Sequence, residues 1–151
     1  MANTPVVPLV PRVERNVVDE HRLLRSLLSQ VEEAFAREAP RSGSGPDVVA
    51  ARLDTLRGPL GAHFEEEERA QLFEEIEEIS PEQTPACERL RDEHKGLIRR
   101  LDSLRSTSPE ARRRPTWGHE VRAFLHALAR HETREMDLLT RTLDGSVGAG
   151  D

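Results

Sequence analysis

The sequence predicts an all-α protein: an antiparallel up-down-up-down four-helix bundle in which one helical hairpin is repeated with pseudo-twofold symmetry. Three observations predict it. Leu, Ala, Glu and Arg dominate a chain of 151 residues that is 33% charged and only 3% aromatic, a composition that favours helix over sheet. Clusters of proline and glycine cut it into four long segments. Within each segment apolar residues recur at helical spacing, and the pattern of the first two segments returns in the last two.

The first helix is expected over residues 12–38, where Val17, Leu24, Leu28, Val31 and Phe35 form a stripe in register with His21. Pro40-Arg-Ser-Gly-Ser-Gly-Pro46 ends it. The second is expected over 47–78, with Leu53, Leu56 and Leu60 ten, seven and three residues before His63 and Ala70 seven after it. Gly58-Pro59 lies inside this span, and the missing donor and ring clash of proline predict a kink one turn before His63. Ser80-Pro81-Glu-Gln-Thr84-Pro85 separates the halves. The third helix is expected over 86–105, its stripe Leu90, Leu97, Leu101 and Leu104 in register with His94. Prolines 109 and 115 then break the chain between Ser106 and Thr116, and Thr84-Pro85 and Ser108-Pro109 read as N-cap and first-turn pairs. The fourth helix is expected over 117–142, where Val121, Phe124, Leu128 and Leu138 stand around His131 as Leu53, Leu56, Leu60 and Ala70 stand around His63. A single domain over 1–151 follows, with a core at 12–142 and loose ends at 1–10 and from Gly145.

Several function classes are disfavoured. The one cysteine, Cys87, permits no internal disulfide and no thiolate zinc cage, and it reads as a small apolar core group. With no basic-then-apolar leader at the N-terminus, a cytoplasmic setting is expected. No apolar run approaches the ~20 residues that span a bilayer, so no membrane partner is expected. A net charge of −6 opposes nonspecific nucleic-acid binding, and the short cluster Arg112-Arg113-Arg114 reads as a solvated loop.

The chemistry lies in a phrase written twice. Asp19-Glu20-His21 is followed by His63-Phe-Glu-Glu-Glu67, and Asp92-Glu93-His94 by His131-Glu-Thr-Arg-Glu135, the first helices of each pair offset by 73 residues and the second by 68. Residues four apart lie about 40° from each other around a helix, so His63 with Glu67 and His131 with Glu135 each present an imidazole and a carboxylate on one face. All four histidines interrupt apolar stripes at matched registers, which brings them to one level of the core. Without a cation, Glu67 and Glu135 would be desolvated carboxylates costing several kcal/mol each. Symmetry selects Glu67 over Glu66, whose counterpart is Arg134. His119 and His126 point about 120° and 140° away from His131 and are excluded as ligands. Asp19 and Asp92, three before Arg22 and Lys95, read as members of surface ion pairs, and the repeated Asp-Glu as mostly solvated helix face.

These residues resemble the hemerythrin-like HHE cation-binding proteins: His21, His63-x-x-x-Glu67, His94 and His131-x-x-x-Glu135 match that pattern in order, from about residue 12 to residue 142. The resemblance implies a four-helix bundle holding two iron ions, with His21, His63, His94 and His131 as terminal ligands, Glu67 and Glu135 as bridging carboxylates, and an oxo or hydroxo bridge. Imidazole with carboxylate suits iron, or less readily manganese, and the absence of thiolates argues against structural zinc. The chain departs from the oxygen-carrying animal hemerythrins. Ile98 stands where they have a second histidine on the third helix, and Met136 where they have an aspartate five residues after the last histidine. Two open coordination positions are implied. The pattern is more like that of bacterial HHE proteins linked to O2, NO or peroxide sensing, iron handling and repair of damaged iron centres.

The expected function is therefore a non-haem di-iron protein that binds or reduces a small gas or oxidant (O2, NO or peroxide) in sensing, iron handling or stress protection. A di-iron enzyme with peroxide-disproportionating or NO-reducing turnover and a metal-free helical interaction module are the alternatives. Ferritin-like Glu-x-x-His pairs are absent, since Val18, Leu60, Arg91 and Leu128 stand three before the histidines. The chain has no tyrosine, and His131-Glu132 leads to Met136, not to the second histidine of a His-Glu-x-x-His zinc motif.

Overall fold

The computed structural model describes residues 22, 24–34, 36 and 45–148, with side chains up to residue 145. Among the described residues all regular structure is helical and no strand occurs. In chain order the elements are α1 (24–34), α2 (Gly45–Arg69), α3 (Leu72–Ile79), a 3-10 turn (Pro81–Gln83), α4 (Thr84–Arg105), α5 (Pro109–Arg112) and α6 (Pro115–Gly148). His21, Val17, Phe35, the Asp19–Arg22 pair and residues 1–10 lie outside the described residues or depend on residues that do.

Three expectations are corrected. The second segment is two helices, and its interruption falls at Ala70–Gln71; α2 is helical through Pro59, where Leu56 and Leu60 on either side are wholly buried. Thr84 is not an N-cap: it is the first residue of α4, and its hydroxyl donates to the carbonyl of Pro81 at 2.8 Å. Ser108 does cap, accepting from the Ala111 amide at 3.2 Å, but the helix it starts is the four-residue α5 inside the expected loop. Helix α6 runs through Gly145 to Gly148; a glycine weakens a helix by about 1 kcal/mol without ending it.

The apolar stripes build two clusters. The larger joins Leu24, Leu28 and Val31 of α1 to Leu53, Leu56 and Leu60 of α2, Leu97, Leu101 and Leu104 of α4, and Val121, Phe124 and Leu128 of α6. The smaller joins Leu72, Phe73 and Ile76 of α3 to Cys87 and Leu90 of α4 and Leu138 and Leu139 of α6. Each leucine taken fully out of water contributes about 1.5–3 kcal/mol. Between the two clusters lie about two turns of α4, from Leu90 to Leu97, and nearly three of α6, from Leu128 to Leu138, and the polar residues there include His94, His131 and Glu135.

Helices α2 and α4 run antiparallel, since Asp54 meets Arg105 and Arg57 meets Asp102, both at 2.8 Å, while Glu67 further along meets His94. The Arg57 guanidinium beside Asp102 holds its carboxyl below the usual range, but these groups are substantially exposed and such pairs contribute little. Helices α4 and α6 are likewise antiparallel. The buried Trp117 indole N–H at the start of α6 donates to the carbonyl of Leu104 at the end of α4, satisfying one of the acceptors a helix leaves open there, and Glu93 meets His131 and Arg134 further on.

Candidate metal centre

The layer between the two apolar clusters carries five fully buried polar residues. His63 and Glu67 of α2, His94 of α4 and His131 and Glu135 of α6 are each 0–2% exposed. The i, i+4 spacing aims each His/Glu pair off one face, as expected from the sequence, and Leu60, Leu97 and Leu128 close the layer on one side.

The inner ring nitrogens converge on the two carboxylates. Glu67 directs Oε1 to His63 Nε2 at 2.5 Å and Oε2 to His94 Nε2 at 3.1 Å. Glu135 directs Oε2 to His131 Nε2 at 3.3 Å and to His94 Nε2 at 3.8 Å, and Oε1 to His63 Nε2 at 4.0 Å. Each carboxylate thus spans from the His63 side to the His94 side. Two sets of donor atoms lie within 4.8 Å of one another and could hold a cation: His63, Glu67 and Glu135, and His94, His131 and Glu135.

Electrostatics favours positive charge here. Both ring nitrogens of His94 and Nε2 of His131 are shielded from solvent and lie outside hydrogen-bond geometry, although carboxylate oxygens stand at ion-pair range. Desolvation of His94 disfavours its charged form, but the close approach and charge of Glu135 and Glu67 outweigh it and raise the pKa to about 9. In the absence of a metal the layer draws a proton to itself. A cation that accepts these nitrogens as donors would satisfy the same charge.

Residues around the centre set its orientation. Glu93 Oε2 lies 2.9 Å from His131 Nδ1 and accepts from Arg134 Nη2 at 2.9 Å. With Nδ1 turned to a carboxylate, the lone pair of Nε2 faces the centre. Phe64 stacks on His94, with ring centroids 4.0 Å apart and planes at 13°, and meets His131 edge-on at 5.4 Å. A groove of about 500 Å³ between α2 and α4 reaches Phe64, His94 and Ile98 and is rimmed by Arg57, Lys95 and Arg99.

A profile of the hemerythrin HHE cation binding domain matches residues 13–143. The chain belongs to the hemerythrin HHE cation-binding family. No curated protein and no solved structure matches it. For this HHE chain the structure brings together five of the six residues singled out in the sequence, and the sixth, His21, lies outside the described residues. Of the residues set aside in the sequence, His119 and His126 are exposed, and Glu66 accepts from Arg69 at 3.0 Å.

Two residues near the HHE centre escape sequence reasoning. Glu93 is not solvated helix face, whereas its neighbour Asp92 is, and no ion pair joins Asp92 to Lys95. The signal for Glu93 was present, since a glutamate precedes the histidine in both halves. Glu132 approaches His63 Nε2 at 3.9 Å, and no repeat signal marks it because its counterpart is Phe64. Cys87 stands apart from the centre in the smaller apolar cluster; burial, reinforced by Glu77, pushes its thiol up to about 11, which favours the neutral form packed among its apolar neighbours. No helix among the described residues is long and apolar enough to cross a membrane.

Proposed function

We propose that the chain is a cytoplasmic non-haem di-iron protein that binds or reduces a small gas or oxidant, O2, NO or peroxide, in sensing, iron handling or stress protection. In this reading one domain forms an up-down-up-down four-helix bundle with a pseudo-twofold axis through the centre. His63, His94 and His131, with His21 from the first helix, are terminal ligands, and Glu67 and Glu135 bridge. The observation that carries the reading is the disposition of the two carboxylates: each gives one oxygen to the His63 side and the other to the His94 side, as bridging between two cations requires. The donor set, imidazole and carboxylate with no thiolate, favours iron, and manganese less so.

Iron supplies the redox chemistry and the open coordination positions by which a small molecule is held. The chain supplies the rest. Glu93 orients His131 and holds the outward proton of its ring at Nδ1, and Arg134 steadies Glu93. Phe64 and the leucines of the larger cluster exclude water from one side of the layer. The groove at Phe64, His94 and Ile98 supports access by a small uncharged molecule, and Ile98 leaves the position of a further imidazole unfilled.

The test is metal analysis of protein purified without chelators, together with its absorption spectrum under nitrogen and after air, NO or peroxide. Two iron ions per chain and a spectrum that changes stoichiometrically are expected. Continuous consumption of the added molecule identifies an enzyme instead. Failure to retain any metal after anaerobic iron loading sinks the proposal and leaves the metal-free interaction module.

A further inference from the structure

We infer that Glu132 is a third carboxylate of the centre, directed at the cation on the His63 side alone, so that the two cation positions are chemically unequal. The inference rests on the dinuclear reading above and goes beyond the six residues of that reading.

Glu132 follows His131 in α6 and is turned about 100° from it around the helix. It does not point to solvent: its side chain is 13% exposed, its Oε1 is shielded, and that atom stands 3.9 Å from His63 Nε2. The same nitrogen already faces Glu67 Oε1 at 2.5 Å and Glu135 Oε1 at 4.0 Å. Three carboxylates from two helices therefore surround the inner nitrogen of His63. At the inner nitrogens of His94 and His131, among the described residues, only the carboxylates of Glu67 and Glu135 come within 4.0 Å.

The repeat explains why the other side has no such group. The residue offset by 68 from Glu132 is Phe64. Where a carboxylate enters on the His63 side, the His94 and His131 side is walled by a ring stacked on His94 at 4.0 Å and meeting His131 edge-on. Phenylalanine offers neither a donor atom nor charge. One position thus has an additional hard oxygen ligand and an additional negative charge, while the other has an apolar wall and borders the groove at Phe64 and His94. The extra carboxylate favours cation binding on the His63 side first, and the neutral wall leaves the second position the weaker and the more open to a small ligand.

Glu132→Gln keeps the size of the side chain and removes its charge. Anaerobic Fe(II) titration followed by calorimetry, with Mössbauer spectra of the iron-57 protein, separates the outcomes. Wild type is expected to bind two ions in two resolved steps and to give two distinct quadrupole doublets. Glu132→Gln should weaken the tighter step about tenfold or more, leave the other within about twofold, and shift one doublet only. Glu132→Asp should recover part of the loss. Two-ion binding by wild type with unchanged titration and spectra in Glu132→Gln overturns the inference and spares the dinuclear reading, as does equal weakening of both steps, which marks a structural role. Fewer than two ions on wild type overturns both.

Discussion

Helices α2 and α6 carry the same His-x-x-x-Glu phrase and the same apolar register before it, yet they part company after the glutamate. In α6, Leu138, Leu139, Thr142 and Leu143 follow Glu135 at three, four, seven and eight residues, within about 80° of it around the axis, and one continuous helix buries the first three and partly buries Leu143. In the second segment the apolar residues Leu72, Phe73 and Ile76 follow Glu67 at five, six and nine, which a continuous helix would turn more than about 100° away from it. The chain breaks at Ala70–Gln71, with Gln71 in the left-handed region at φ 56°, and α3 turns these residues into the smaller cluster. The halves therefore share the chemistry of the centre and differ in what surrounds it. Burial fixed to one register constrains the ligands; the packing beyond them is free to diverge.

The comparison breaks most sharply if the two glutamates are unequal. Glu67→Gln and Glu135→Gln each remove a charge that two cations share, and each should lose at least one ion and the spectrum of the bridged pair, whereas Glu66→Gln and His126→Ala retain both ions. Loss with Glu66→Gln and retention with Glu67→Gln would overturn the register assigned to α2. Metal analysis and absorption spectra decide it.

Removing metal from the whole protein is expected to have the next largest effect. Binding at a hundredfold excess over Kd stabilises by roughly 2.7 kcal/mol, or about 5–10 °C in Tm for a chain of this size. Calorimetry of protein with and without chelator reads it, and equal melting points would detach the buried carboxylates from any cation.

A smaller effect is expected outside the ligands. Glu93→Gln should weaken cation binding about tenfold by releasing the ring of His131 from its outward hydrogen bond, with little change in the melting of metal-free protein. Glu20, its counterpart in the repeat, should behave alike on the His63 side; a null result there would limit the repeat to the ligands. Smallest is Gln71→Gly. Relief of the left-handed backbone, less the added chain entropy of glycine, should raise stability by roughly 0.5–1 kcal/mol, measured by urea denaturation. An unchanged or lowered midpoint would mean that the break between α2 and α3 carries no strain.

Much of this protein is legible in its residues because helical register is local. The 3.6-residue period places Leu53, Leu56, Leu60, His63 and Glu67 on one face whatever packs against it, and the same holds for Val121, Phe124, Leu128, His131 and Glu135, so the core and five clustered site residues follow from spacing alone. The shifted apolar register after Glu67 was also written there and marks the break at Ala70–Gln71. A lone proline removes one hydrogen bond and leaves α2 helical between buried leucines, whereas apolar groups on the wrong face cannot be buried without turning the chain. Other features arise only where helices meet. That Glu93 reaches His131 on another helix, that Glu132 approaches His63 across the layer, and that Phe64 walls His94 depend on side-chain reach between elements remote in sequence, and no spacing within a single helix encodes that distance.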